Sequence, residues 1–75
     1  MFERIVEIIS DYQGIEKDTI TAETYLISDL GLNSYDVVAL ATRFEDEFNI
    51  DIPDRAIKKL QTVDDISVQL SALLQ

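Results

Sequence analysis

The sequence predicts an all-α fold, a four-helix bundle with a long first loop and a short third helix, formed as one domain over residues 1–75. Three observations predict it. Hydrophobic residues make up 47% of the chain against one proline and two glycines, a composition suited to a packed helical domain rather than a disordered tail. Apolar residues recur at spacings of three and four in separate stretches, the mark of helices with one buried face. Turn and capping residues punctuate those stretches. A chain this short buries only about 60% of the surface it exposes when unfolded, so the core must be efficient.

The first helix is expected from Phe2 to about Tyr12, with Phe2, Ile5, Ile9 and Tyr12 on one face and Val6 and Ile8 beside them. Gly14 stops it. Residues 15–33 then form a connection too long for so small a domain unless its own apolar residues pack down, and Ile15, Ile20, Leu26, Ile27 and Leu30 are the residues expected to do so. Asp18 or Thr19 can start a short helical turn within it.

The second helix is expected from Ser34 or Tyr35 to Phe48. Val37, Leu40, Ala41, Phe44 and Phe48 make its inner face, and Asp36, Ala39, Arg43, Asp46 and Glu47 are spaced for an exposed one. A serine just ahead of an apolar-periodic run marks a helix start, which puts Ser34 at or next to the N-cap, and Asp36 suits the positive end of the helix dipole. By itself such a serine does no more than accept a hydrogen bond from an orphan backbone N–H.

Asn49-Ile50-Asp51-Ile52-Pro53 alternates like a short extended segment, and Pro53 turns its predecessor away from helix. Asp54 is expected to cap a third helix from Arg55 to about Leu60, with Ala56, Ile57 and Leu60 inward and a basic island of Arg55, Lys58 and Lys59 outward. Thr62 and Asp65 stand in capping-box positions for the last helix, whose inward stripe is Val63, Ile66, Leu70, Leu73 and Leu74. The acids between Asp46 and Asp54 lack the spacing and central glycine of an EF-hand, so no metal site is expected.

Composition removes whole classes of function. The chain has no cysteine and no histidine, so it can supply neither a thiolate, nor a cysteine zinc site, nor an imidazole base, and no convergent carboxylate pair is evident. It is not expected to be an enzyme. Fifteen acidic residues against six basic ones give a charge of −9, which repels nucleic acid and anionic membranes and favours basic protein partners. No apolar run approaches the ~20 residues that span a bilayer, and Met1-Phe2-Glu3-Arg4 lacks the start of a signal peptide; a cytoplasmic monomer without membrane insertion is expected.

Asp29-Leu30-Gly31-Leu32-Asn33-Ser34-Tyr35-Asp36, followed by Phe44-Glu45-Asp46-Glu47-Phe48, Ile50-Asp51-Ile52-Pro53-Asp54 and Thr62-Val63, resembles the acyl carrier protein family over nearly the whole chain. The resemblance implies an acyl-carrier-like bundle whose first loop crosses the helices. It further implies that Ser34 carries 4′-phosphopantetheine, covalently attached from coenzyme A by a separate phosphopantetheinyl transferase. A carrier of thioesters without cysteine needs such a group to supply the thiol. The implied role is to hold acyl intermediates for fatty acid or related acyl biosynthesis. The implied partners are the transferase and acyl synthase or ligase enzymes with basic docking surfaces, meeting Asp36, Ala39, Arg43, Asp46 and Glu47.

The chain departs from the family pattern at the attachment motif, which usually reads Asp-Ser-Leu and here reads Asn33-Ser34-Tyr35, and on the recognition helix, where Ala39 and Arg43 stand in a stripe that typically keeps glutamate. These departures leave the carrier reading standing and open the pathway, to a dedicated carrier with its own ligase or synthase or to a divergent fatty acid carrier. The alternatives are a specialised aminoacyl, peptidyl or polyketide-type carrier and, in a different class, an unmodified helical interaction module.

Overall fold

A computed structural model describes all 75 residues, and it is the all-α, four-helix arrangement that the periodicity predicts. Helix α1 (Phe2–Gln13) buries Ile5, Val6, Ile8 and Ile9. Phe2 is exposed and Tyr12 half-buried, because the end turns of α1 overhang the core and the Tyr12 hydroxyl reaches sideways to a polar partner. Gly14 ends the helix in the left-handed conformation at φ 72°, ψ 36°, with its N–H returned to the Ser10 carbonyl.

The long connection contains one 3₁₀ turn, Lys17–Thr19, and behaves as part of the core. Ile20 and Leu26 are buried and Ile15 and Leu30 half-buried, whereas Ile27, expected inside, is 58% exposed. The reason is local geometry. The N–H groups of Asp29 and Leu30 both bond the Tyr25 carbonyl and that of Gly31 bonds the Ile27 carbonyl, so the segment winds like a helical turn. Leu26 and Leu30 then share a face, and Ile27 is rotated about 100° away from Leu26. Leu32, which the sequence pattern did not single out, is buried instead.

Backbone hydrogen bonds fasten this loop to the start of the last helix. Leu26 N–H bonds Gln61 O at 2.8 Å, Val63 N–H bonds Thr24 O at 3.0 Å and Asp64 N–H bonds Ala22 O at 2.9 Å, around an isolated antiparallel bridge between Tyr25 and Thr62. Buried Thr24 takes the Thr21 N–H on its hydroxyl at 2.9 Å. These bonds satisfy backbone groups that the loop would otherwise leave unpaired where it packs against the core.

Helix α2 (Ser34–Phe48) buries Val37, Leu40, Ala41 and Phe44, leaves Phe48 half-buried and ends at Asn49, whose left-handed φ of 55° is one that asparagine tolerates. Ile52 is buried, and its N–H bonds the Glu45 carboxylate at 2.7 Å, anchoring the extended segment to α2.

Helix α3 (Asp54–Ile57) is shorter than the expected Arg55–Leu60. Pro53 holds extended backbone at φ −69°, ψ 156° and occupies the cap position, so Asp54 is the first helical residue and makes no capping bond. Beyond Ile57 the chain tightens into three-residue hydrogen bonds, Lys59 N–H to Ala56 O and Leu60 N–H to Ile57 O. Ala56 and Leu60 are buried, but Ile57 is only half-buried.

Helix α4 (Val63–Leu74) starts on the expected Thr62–Asp65 capping box and buries Val63, Ile66 and Leu70. Leu73 is half-buried and Leu74, expected inward, is 45% exposed, since it lies in the final turn next to the chain end where nothing covers it. Helix α1 packs on both α2 and α4, and α3 closes against α2.

Candidate functional site

Gly31, at φ 72°, reverses the chain out of the loop, and buried Leu32 then pins the entry to α2. Asn33 follows in extended conformation as the true N-cap. Its Oδ1 accepts the Asp36 N–H at 2.9 Å, and the Asp36 carboxylate accepts the Asn33 N–H at 3.0 Å, a reciprocal capping box. Ser34 is accordingly the first helical residue, not the cap. The Asn33-x-x-Asp36 spacing carries that signal, but read against a family motif Asn33 registers as a lost acid.

The consequence concerns the serine. With Asn33 doing the capping, the exposed Ser34 hydroxyl makes no hydrogen bond within the protein. The Val37 N–H goes to Asn33 O and the Asp36 N–H to Asn33 Oδ1, while the N–H groups of Ser34 and Tyr35 have no protein acceptor. A nucleophile-sized oxygen thus stands beside two open donors at the positive end of a 15-residue helix, a favourable place for an anion.

Beside Ser34 runs an open groove of about 360 Å³ between the loop, α2 and α3, with Ile27, Val37, Val38, Ile57 and Leu60 on its walls. Ile27 and Val38 are about half exposed, and Tyr35, one residue beyond the serine, is 85% exposed. Apolar surface therefore flanks the hydroxyl, with Asp54 and Lys58 also on the groove.

The stripe Asp36, Ala39, Arg43, Asp46 and Glu47 is not evenly exposed. Arg43, Asp46 and Glu47 are exposed, whereas Asp36 and Ala39 are half-buried. The Tyr12 hydroxyl donates to Asp36 at 2.7 Å, the Arg43 guanidinium sits 5.2 Å from the Tyr12 ring centroid, and Arg4 pairs with Glu47 at 2.9 Å. Hydrogen bonding from the Asn33 N–H first, and then from Tyr12, holds the Asp36 carboxyl below the usual carboxylate range. The same bond raises Tyr12, with burial adding to it, and the Arg4 hydrogen bond lowers Glu47. None of these cross-helix ties is visible in helical spacing. No group of three or more acidic, His or Cys side chains converges as a metal site.

The family model for the phosphopantetheine attachment site matches residues 3–70. An acyl carrier protein of Akkermansia muciniphila is 44% identical over 64 residues, covering 85% of this chain and 80% of that protein. The solved acyl carrier protein of Thermotoga maritima superimposes with a TM-score of 0.81 at 35% identity, over 95% of this chain and 82% of that one. A Mycobacterium tuberculosis structure assigned as an acyl carrier protein gives a TM-score of 0.85 at 30% identity, over 96% and 97% of the two chains.

The helical fold and the family match together define a carrier domain that holds an attached group, not an enzyme. The chain belongs to the acyl carrier protein family, whose phosphopantetheine-binding domains hold 4′-phosphopantetheine covalently and act as carriers, not enzymes. The residues present suit that group: an accessible hydroxyl to esterify, two unpaired N–H donors for a phosphodiester, and an apolar groove alongside.

Proposed function

We propose that Ser34 is the attachment residue, its oxygen carrying the 4′-phosphopantetheine arm as a phosphodiester. The chain then holds acyl groups as thioesters for fatty acid or related acyl biosynthesis. The observation that carries this reading is that Asn33 caps α2, which leaves the Ser34 hydroxyl unbonded and exposed beside the open Ser34 and Tyr35 N–H groups. When attached, the arm supplies the thiol that a chain without cysteine lacks. The protein's own residues do the rest: Asn33 and Asp36 hold the helix start in place, and the open Ser34 and Tyr35 N–H groups would supply donors to the phosphodiester.

The partners in this reading are cytoplasmic enzymes, a transferase and an acyl synthase or ligase, reached by short-lived electrostatic docking. A tethered arm raises the effective concentration of its cargo at each docked active site. The large exposure of Tyr35 beside the serine favours a second version of the reading, a carrier dedicated to its own loading enzymes, such as an aminoacyl or polyketide-type carrier.

The test is intact mass after incubation with coenzyme A, Mg²⁺ and a phosphopantetheinyl transferase. The parent gains one phosphopantetheine, and Ser34→Ala, which keeps the Asn33 cap and so the fold, gains none. Loading of both, or of neither, overturns the assignment.

A further inference from the structure

The charge of this acidic chain is unevenly placed. Three of its six cations, Arg55, Lys58 and Lys59, fall within five residues on and just after α3, all exposed and none within ion-pair distance of a carboxylate. Of the other three, Arg4 pairs with Glu7 and Glu47 and Arg43 lies over Tyr12, while Lys17 stands alone on the 3₁₀ turn, away from the groove. Lys58 lines the same groove as Ser34. Asp54 lines it too, yet it pairs with none of the three.

Any protein that works on the Ser34 oxygen must cover that groove and therefore Lys58. Covering an unpaired ammonium with apolar or basic surface costs desolvation without return, and a facing carboxylate offsets it. From this, and resting on the Ser34 assignment, we infer that the Arg55, Lys58 and Lys59 edge of α3 is a docking surface for an acidic patch on the phosphopantetheinyl transferase that loads this chain. The docking face is then bipolar. Exposed Ile27 and Val38 form its apolar centre beside Ser34, and a positive rim on and just after α3 interrupts a molecule of net negative charge. Such a face selects partners: a transferase basic throughout its docking surface meets like charge at α3 and binds weakly.

The experiment is steady-state loading by the transferase of the source organism, with the carrier and coenzyme A varied separately. The proteins are the parent, Lys58→Glu, the neutral triple variant Arg55→Gln/Lys58→Gln/Lys59→Gln, and Lys17→Glu, which makes the same charge change away from the groove. Far-UV circular dichroism checks that each is folded. Expected are a rise of about tenfold in the KM for the carrier with Lys58→Glu and a smaller rise with the neutral triple variant. Lys17→Glu stays within about twofold, and the KM for coenzyme A is unchanged throughout.

A carrier KM that stays level or falls overturns the acidic-partner proposal, a fall meaning that the transferase is basic there. A rise confined to the KM for coenzyme A also overturns it, because Lys58 then meets the cofactor's phosphates instead. If the parent is not loaded at all, the Ser34 assignment fails and this inference falls with it, whereas equal loading of every variant overturns the docking surface alone.

Discussion

The Tyr12 hydroxyl donates to the Asp36 carboxylate at 2.7 Å and so joins the last turn of α1 to the first turn of α2, two residues from Ser34. Asp36 is also the acceptor for the Asn33 N–H at 3.0 Å, so one carboxylate serves both the cap and the bond between helices. Tyr12→Phe removes the long-range donor and leaves the cap. It is expected to lower Tm and to move the Asp36 carboxyl back toward the ordinary carboxylate range, which a ¹³C-detected pH titration reads directly. An Asp36 titration unchanged by the substitution would falsify the coupling.

The same carboxylate sets a pH dependence. The folded-state pKa of Asp36 is depressed, so between the folded and unfolded values the unfolded chain binds more protons and stability rises with pH. The contribution is full above the unfolded value of about 4 and is lost as pH falls through the folded value. Glu47, lowered by Arg4, adds in the same direction. The Tm advantage of the parent over Asp36→Asn is therefore expected to be largest near neutral pH and to shrink below about pH 4. Paired thermal melts across that range check it, and a constant difference contradicts it.

The cap and the candidate site are adjacent residues with separable roles. Asn33→Ala removes the side chain that accepts the Asp36 N–H and is expected to cost about 0.5–2 kcal/mol. Ser34→Ala removes an exposed, unbonded hydroxyl and is expected to stay within about 0.5 kcal/mol of the parent. Urea unfolding of the two variants compares them, and an equal cost would return the cap to Ser34.

The neighbouring pair Leu26 and Ile27 tests whether the long loop is core. Leu26 is 1% exposed, so Leu26→Ala is expected to cost about 2–5 kcal/mol, a large part of the stability of so small a domain. Ile27 is 58% exposed, and Ile27→Ala is expected to change stability by about 0.5 kcal/mol or less. Denaturant midpoints that fall together would mean the loop packs differently.

Fifteen acidic residues with only two of them ion-paired leave strong self-repulsion. Added NaCl or MgCl₂ is expected to raise Tm. Because no carboxylate cluster converges as a metal site, Mg²⁺ acts here by screening and loose association, and NaCl at higher concentration reproduces its effect. A saturating response to micromolar Mg²⁺ that NaCl cannot match would point to a specific site instead.

The elements that the sequence determined by itself are those written in local chemistry. The three long helices follow from apolar residues three and four apart, as in Ile5, Val6 and Ile9 or Val37, Leu40, Ala41 and Phe44, and their limits follow from Gly14, the extended segment ahead of Pro53 and the Thr62–Asp65 box. Ser34 stood out for the same reason, lying in a turn-to-helix junction readable within a few residues. Tertiary structure alone decided the rest. Ile27 faces out and Leu32 in because the loop coils into a turn and is fastened to Gln61 and Val63, partners more than thirty residues away. Tyr12, Arg43 and Arg4 tie the supposed outer stripe of α2 to α1, and Lys58, just after α3, comes to line the same groove as Ser34 only when α2 and α3 pack. Periodicity reports which face of one helix is buried, but the neighbour that covers it, and the charges left uncovered, depend on contacts between segments distant in the chain.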